Sequence, residues 1–182
     1  MLETVKTFSA LSEEFVELFL RYHPVEATRA GIHDYDHVLP NDTAEGLRER
    51  ATWLKDLEHR LVASVPWQEL PVEQRVDYAL LRARIAALRA DLDEIKVHAR
   101  NPVLYPETAL HGIFLLLARS GAPLEERKEA ILDRMLAVPD YLKAARANLQ
   151  EVPDQYLAIA ADVTLSGPGF VDDVCRTLLR SF

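Results

Sequence analysis

The sequence predicts an all-α fold, a multi-helix array of roughly eight helices with no sheet. Three observations predict it. Apolar residues recur at steps of three and four along most of the 182 residues. No segment alternates apolar and polar residues as a half-buried strand does. Glycine is scarce, at 6, and most of the 10 prolines fall between periodic stretches, where they punctuate helices. No repeat period, low-complexity tract or long linker divides the chain, so residues 1–182 are read as a single all-α region.

The first helix places Phe8, Leu11, Phe15, Leu18, Phe19 and Tyr22 on one face. Pro24 ends it or starts a new turn, because the residue before a proline is pushed out of the α region. A short helix from Val25 to Ala30 then closes at Gly31, the residue best suited to a left-handed C′ position. A polar loop, Ile32 to Asn41, follows. Asp42-Thr43-Ala44-Glu45 fits a capping box that opens a helix with Leu47, Ala51, Leu54, Leu57 and Leu61 on one side. Pro66 and Pro71 bracket a turn carrying Trp67. The next helix is long and has two apolar stripes. Leu81, Ile85, Leu88, Leu92 and Ile95 form one, and Val76, Leu80, Ala83 and Ala87 form the other, so it is expected to be covered on two sides.

Asn101-Pro102 and Tyr105-Pro106 define a further loop. Beyond it the pattern gives helices over Glu107–Arg119, stopped by Gly121, then Pro123–Ala137 and Pro139–Gln150. Pro123 sits at a first-turn position and is followed by Glu125 and Glu126, which suit the positive end of a helix dipole. Another helix runs from Asp154 to about Leu165, broken by Gly167-Pro168-Gly169. In the last stretch, Val171, Val174, Cys175, Leu178, Leu179 and Phe182 stay amphipathic to the final residue, with no cap glycine and no polar tail. That ending is expected of a chain cut inside a larger protein; a terminal helix docked on the core is the other reading.

Composition narrows the function classes. Lys plus Arg is 21 against 29 for Asp plus Glu, a balance of −8, which argues against a phosphate-neutralising nucleic-acid binder and against a polybasic membrane-surface protein. Hydrophobic residues at 49% and charged residues at 27% fit a globular domain. The longest apolar run, Gly112–Ala118, is far short of the ~20 residues a spanning helix needs. Met1 to Ala10 holds no uninterrupted apolar stretch of the signal-peptide kind, so the cytoplasm is the expected location.

Few residues carry a chemical signal. His33-Asp34-Tyr35-Asp36-His37 is the densest polar cluster. In a helix, His33 and His37 would share a face at the i, i+4 spacing of metal ligands, with Asp34 or Asp36 as an oxygen ligand or as the group orienting an imidazole. Placed after Gly31, however, the cluster reads as a loop whose aspartates form Asx-turns, with Tyr35 packing its ring and the histidines partly exposed. His33, Asp34, Asp36 and His37 are therefore the metal candidates, and no catalytic residue is assigned. None of the six histidines begins a His-Glu-x-x-His pair. There is no Gly-x-Ser-x-Gly elbow and no phosphate-binding glycine loop. Cys175, the single cysteine, lies on the apolar side of its helix and reads as inert packing. His111 reads as a pocket-lining or boundary residue. Arg75, Arg82, Arg84 and Arg89 read as a solvated surface with acidic partners.

One resemblance extends over nearly the whole chain. The run Pro24-Val25-Glu26-Ala27-Thr28-Arg29-Ala30-Gly31-Ile32-His33-Asp34-Tyr35-Asp36 resembles the N-terminal signature of the bacterial "domain of unknown function 885" family. Asp77-Tyr78-Ala79-Leu80-Leu81, Asn101-Pro102 with Tyr105, and Gly112 before Leu115 fit the same pattern in order. Glu126-Arg127 ahead of Pro139, and Asn148-Leu149 before Pro153, continue it. Members of that family are similar to helical zinc metallopeptidases of the gluzincin type, with a deep cleft between two mostly helical halves. Their zinc-binding His-Glu-x-x-x-Gly-His-His-like helix lies in the C-terminal half. The resemblance thus implies that zinc belongs only to that half and that no cofactor is held by this chain. The chain would be the N-terminal part of a two-half hydrolase-like protein, forming one wall of a cleft for a peptide-like substrate. Its partner would be the C-terminal half or a second copy. The alternative is a stand-alone helical interaction module, and a third reading is a small metalloprotein built on His33, Asp34, Asp36 and His37.

Overall fold

A computed structural model describes residues 2–119 and 121–179. Among them the secondary structure is helical throughout, in eight α-helices with no strand. These are α1 (Leu2–Tyr22), α2 (Pro24–Arg29), α3 (Ala44–Ser64), α4 (Val72–Ala90), α5 (Val97–Arg100), α6 (Leu104–Ala118), α7 (Leu124–Asn148) and α8 (Asp154–Leu179). A 3-10 turn, Trp67–Glu69, precedes α4 and a π-helical turn, Asp91–Ile95, follows it. No helix among the described residues is long and apolar enough to cross a membrane. The chain divides into two compact units, one within Met1–Phe19 and Glu45–Lys96, the other within Leu20–Ala44 and Val97–Phe182.

In the first unit the apolar faces expected from the spacing are the buried ones. Phe8, Leu11 and Phe15 of α1, Leu54, Leu57 and Leu61 of α3, and Leu81, Ile85 and Leu88 of α4 all lie in the core. Each such side chain contributes about 1.5–3 kcal/mol by leaving water. Aromatic pairs reinforce the packing, with Phe8 and Tyr78 ring centroids 6.0 Å apart and Phe15 and Trp53 5.9 Å apart. Arg60 is held between Glu14 and Asp56, and Arg89 pairs with Glu58.

Two expectations for α4 are corrected. The helix ends at Ala90, so the stripe does not continue to Ile95, which is 53% exposed. Asp91, Asp93 and Glu94 place three carboxylates at the negative end of the helix dipole, which favours leaving the α-helix there. The chain widens into a π turn closed by Lys96 N–H on the Asp91 carbonyl, and Lys96 adopts φ 55°. The second stripe has no cover among the described residues: Val76 is 58% and Leu80 64% exposed, and Ala83 and Ala87 are exposed.

The second unit starts with α2. Pro24 opens it at a first-turn position, where its missing N–H costs nothing. Its end is a Schellman motif. Gly31 has φ +81°, Ile32 N–H bonds the Ala27 carbonyl at 2.9 Å and Gly31 N–H the Thr28 carbonyl at 3.1 Å. α6, α7 and α8 bury Ile113, Leu116, Ile131, Val174 and Leu178 in one cluster. Tyr105, Ala109, Tyr141 and Ala145 form another.

Some boundaries differ from expectation: α6 starts at Leu104, with Tyr105 and Pro106 in its first turn and not in a loop. Pro139 does not start a helix and Gly167-Pro168-Gly169 does not break one, because α7 and α8 run through both prolines. Both prolines are exposed. Each leaves one backbone carbonyl without its helical donor, and buried residues before and after, Arg134 and Tyr141 in α7 and Ala160 and Val174 in α8, hold each helix to its neighbours. α3 begins at Ala44, and Asp42 just before it is buried, accepting Tyr141 Oη–H at 3.1 Å, while its backbone carbonyl accepts Asn148 Nδ2–H at 2.6 Å. Of the amphipathic final stretch, Val174 and Leu178 are in the core; Phe182 lies outside the described residues.

Candidate functional site

The loop from Ile32 to Asn41 is anchored by one side chain, Arg134 of α7, which is fully buried. Its Nε donates to the Val38 carbonyl at 3.2 Å and its Nη1 to the Gly112 carbonyl at 2.6 Å. Nη2 donates to Thr28 Oγ1 at 2.6 Å, with the carbonyls of Tyr35 and Pro24 at 3.3 and 3.4 Å. The planar guanidinium thereby ties α2, the loop and α6 to α7. Gly112 makes this possible. A Cβ there would meet Val25 Cγ2 at 3.0 Å and Arg134 Nη1 at 3.4 Å, tighter than ordinary packing, so a larger residue would require these neighbours to give by a few tenths of an ångström.

Asp36 is the counter-charge and is 5% exposed. Thr28 Oγ1 donates its proton to Asp36 Oδ1 at 2.6 Å, and His33 Nδ1 lies 2.8 Å from Oδ2. Two guanidiniums flank the carboxylate at longer range, Arg134 Nη2 at 3.9 Å from Oδ1 and Arg119 Nη1 at 3.7 Å from Oδ2. Burial pushes the Arg134 guanidinium down to about 10, with Asp36 pulling the other way, so it stays protonated at neutral pH.

The metal candidates are thus placed as follows. Backbone turns close the loop, from Asp36 N–H to the His33 carbonyl at 3.2 Å and from Val38 N–H to the Tyr35 carbonyl at 3.3 Å. Asp36 differs from the Asx-turn aspartate expected from the sequence; its side chain turns inward to Thr28 and His33. Asp34 is exposed. His37 is exposed and directs Nδ1 to Asp133 Oδ2 at 2.7 Å, away from the His33–Asp36 pair. The two imidazoles serve different carboxylates, and no group of three or more metal-capable side chains is gathered among the described residues. This donor set does not fit a zinc ion, which takes three or four converging ligands. What the arrangement does provide is an oriented imidazole beside a buried carboxylate.

Arg134 and Arg119 are the side chains of this cluster that the pattern reading missed. A signal for Arg134 exists: it occupies an apolar-stripe position between Ile131 and Val138, where a surface arginine is out of place. The four arginines read as solvated surface divide. Arg89 has its acidic partner, whereas Arg75 donates to the carbonyls of Leu70 at 2.8 Å and Gln68 at 2.6 Å. Arg84 lies over the Phe19 ring. His111 stacks on Phe114 with its Nε2 buried, and Cys175 is half-buried. In the first unit an open groove of about 530 Å³ lies along α4, lined by Glu58, Trp67, Arg75, Tyr78, Ala79 and Arg82 among others.

Comparison with known proteins agrees on the fold. The family model described as "Bacterial protein of unknown function (DUF885)" matches residues 24–165. No curated protein matches the chain. A solved structure from Shewanella oneidensis, described as a lipoprotein of unknown function, superposes with a TM-score of 0.80 at 22% identity. The match covers 88% of this chain and 29% of that one, so the chain spans less than a third of the structure it resembles. At that identity the likeness is one of fold alone.

Proposed function

From the premise that the chain belongs to the DUF885 family of bacterial proteins, we propose that it is the N-terminal helical part of a longer hydrolase-like protein. In this reading its helices form one wall of a cleft for a peptide-like substrate, and zinc and the bond-breaking groups belong to the C-terminal half. The observation that carries the reading is the coverage: 88% of this chain matches a fold that makes up only 29% of a longer chain. Two features of the first unit support it. The groove along α4 is a concave surface of the size peptides occupy. The exposed stripe of Val76 and Leu80 is an apolar face of the kind that takes cover from another element. We assign that cover to the C-terminal half. The cytoplasmic location belongs to the same proposal.

The test pairs elemental analysis with a mixed-peptide digest on the purified 182-residue chain and on the full-length protein. Expected is cleavage with about one zinc per molecule in the full-length protein, and neither in the short chain. A short chain that cleaves peptides overturns the division of labour. One metal per short chain, lost with His33→Ala, makes the loop a metal site instead. A full-length protein without metal or cleavage removes the peptidase reading and leaves the helical interaction module. Fractionation of cells expressing the natural gene checks the location, which recovery with membranes would overturn.

A further inference from the structure

We propose that His33 and Arg119 form a binding site for a single carboxylate group. The inference uses only the geometry of the second unit and does not depend on the cleft-wall reading. Both side chains border the same atom, Asp36 Oδ2, His33 Nδ1 at 2.8 Å and Arg119 Nη1 at 3.7 Å. Both are mostly buried yet reach solvent, with side-chain exposures of 33% and 29%.

The two have binding capacity left over. His33 directs Nδ1 to Asp36, which leaves its other ring nitrogen, Nε2, outside that contact on a side chain that is 33% exposed. Arg119 meets Asp36 only at ion-pair range, beyond hydrogen-bond distance, so among the described residues the donors of its guanidinium fork remain available. Arg134 is different, because its donors are spent on Val38, Gly112 and Thr28 and it is sealed from solvent. It contributes charge without contact.

Charge selects the ligand. Two guanidiniums face one carboxylate, which leaves one positive charge uncompensated in a half-buried place. A monoanion balances it, and a planar carboxylate matches the guanidinium fork in two parallel bonds. A phosphate dianion would over-compensate and bring its second charge toward Asp36. A carboxylate on Arg119 also brings negative charge near His33, which shares Asp36 Oδ2 with it, and this favours the imidazolium form. Binding therefore draws a proton onto His33. The charged groups around His33 are Asp36 on the same loop, Arg119 at the end of α6 and Arg134 on α7; Asp133 is engaged by His37.

Proton NMR of the 182-residue chain tests this, with the His33 imidazole resonance assigned by its loss in His33→Gln. Titrations are run in sodium acetate and in sodium chloride at equal ionic strength, so that general screening is the same in both. The expected result is a saturable acetate shift with half-effect on the order of 10 mM, and a His33 titration midpoint at higher pH in acetate than in chloride. Arg119→Gln weakens the acetate effect by about tenfold or more, and Arg119→Lys retains part of it. Identical midpoints in acetate and chloride for the unmodified chain overturn the site, whatever the variants do. An acetate shift that survives in a folded Arg119→Gln chain overturns the role of Arg119. Inorganic phosphate acting at lower concentration than acetate overturns the single-carboxylate assignment.

Discussion

Arg134 organises the second unit because a single planar group meets acceptors from three segments that are otherwise unrelated in sequence. Replacing it with methionine keeps much of the volume and removes every bond. The carbonyls of Val38 and Gly112 then lose their donor, and the buried Asp36 loses a nearby positive charge. Arg134→Met is expected to cost about 3–5 kcal/mol, read as a lower urea midpoint at unchanged slope. Arg134→Lys recovers little, because a point ammonium cannot serve a fan of acceptors built for a fork. A second buried group gives a pH signature. Burial pushes the Tyr141 phenol far above its ordinary value of 10.0, with the Asp42 charge adding to the effect. The unfolded chain ionises this tyrosine first, so the folded state holds the extra proton. Its contribution is complete below about pH 10 and declines as pH rises above that. Urea unfolding at pH 9, 10 and 11 is expected to show a fall that Tyr141→Phe lacks. The residue that ends α2 was legible in the sequence, since only glycine takes φ +81° without strain. The partners of Arg134 were not, because they lie 22 to 110 residues away and no local pattern encodes them.

At the scale of elements, the apolar stripes of α1, α3 and α4 were legible because burial on one face leaves a 3.6-residue period in the sequence. The prolines of α7 and α8 were misread for a complementary reason. Proline stops a helix when its ring and its orphaned carbonyl have nowhere to go, and whether they do depends on which face meets solvent. In α7, Pro139 is exposed, with buried Arg134 one turn before it and Tyr141 just after. The packed face carries the helix past the defect. Pro139→Ala should therefore restore one backbone bond without losing packing, stabilising the chain by roughly 1–3 kcal/mol. Differential scanning calorimetry measures it, and an unchanged or lower Tm would show that the proline sits in a bend the core requires. The carboxylates after Ala90 carried a usable signal in the other direction. Three acids at a helix C-terminus mark an end that apolar spacing alone extends to Ile95.

At the scale of the whole molecule, the second stripe of α4 connects fold to function. Its apolar spacing specifies a covered face, yet Val72, Val76 and Leu80 are 66%, 58% and 64% exposed. A face with helical period and no partner is costly to keep in water, and the cleft-wall proposal assigns its cover to the C-terminal half. That assignment separates two measurements on one substitution. In the 182-residue chain, Leu80→Lys exchanges one exposed side chain for another, so unfolding free energy should change by less than about 0.5 kcal/mol. In the full-length protein the lysine would have to displace packed apolar atoms or carry its charge into the junction. There the cost should reach about 2–3 kcal/mol, and the first denaturation step should move to lower urea. An equal and small effect in both proteins would leave α4 as an ordinary solvated surface. A lower sedimentation coefficient of the short chain after Leu80→Lys would instead show that a second copy covers this face. A cost confined to the full-length protein ties the α4 face to the chain beyond residue 182, because no contact within the shorter protein changes.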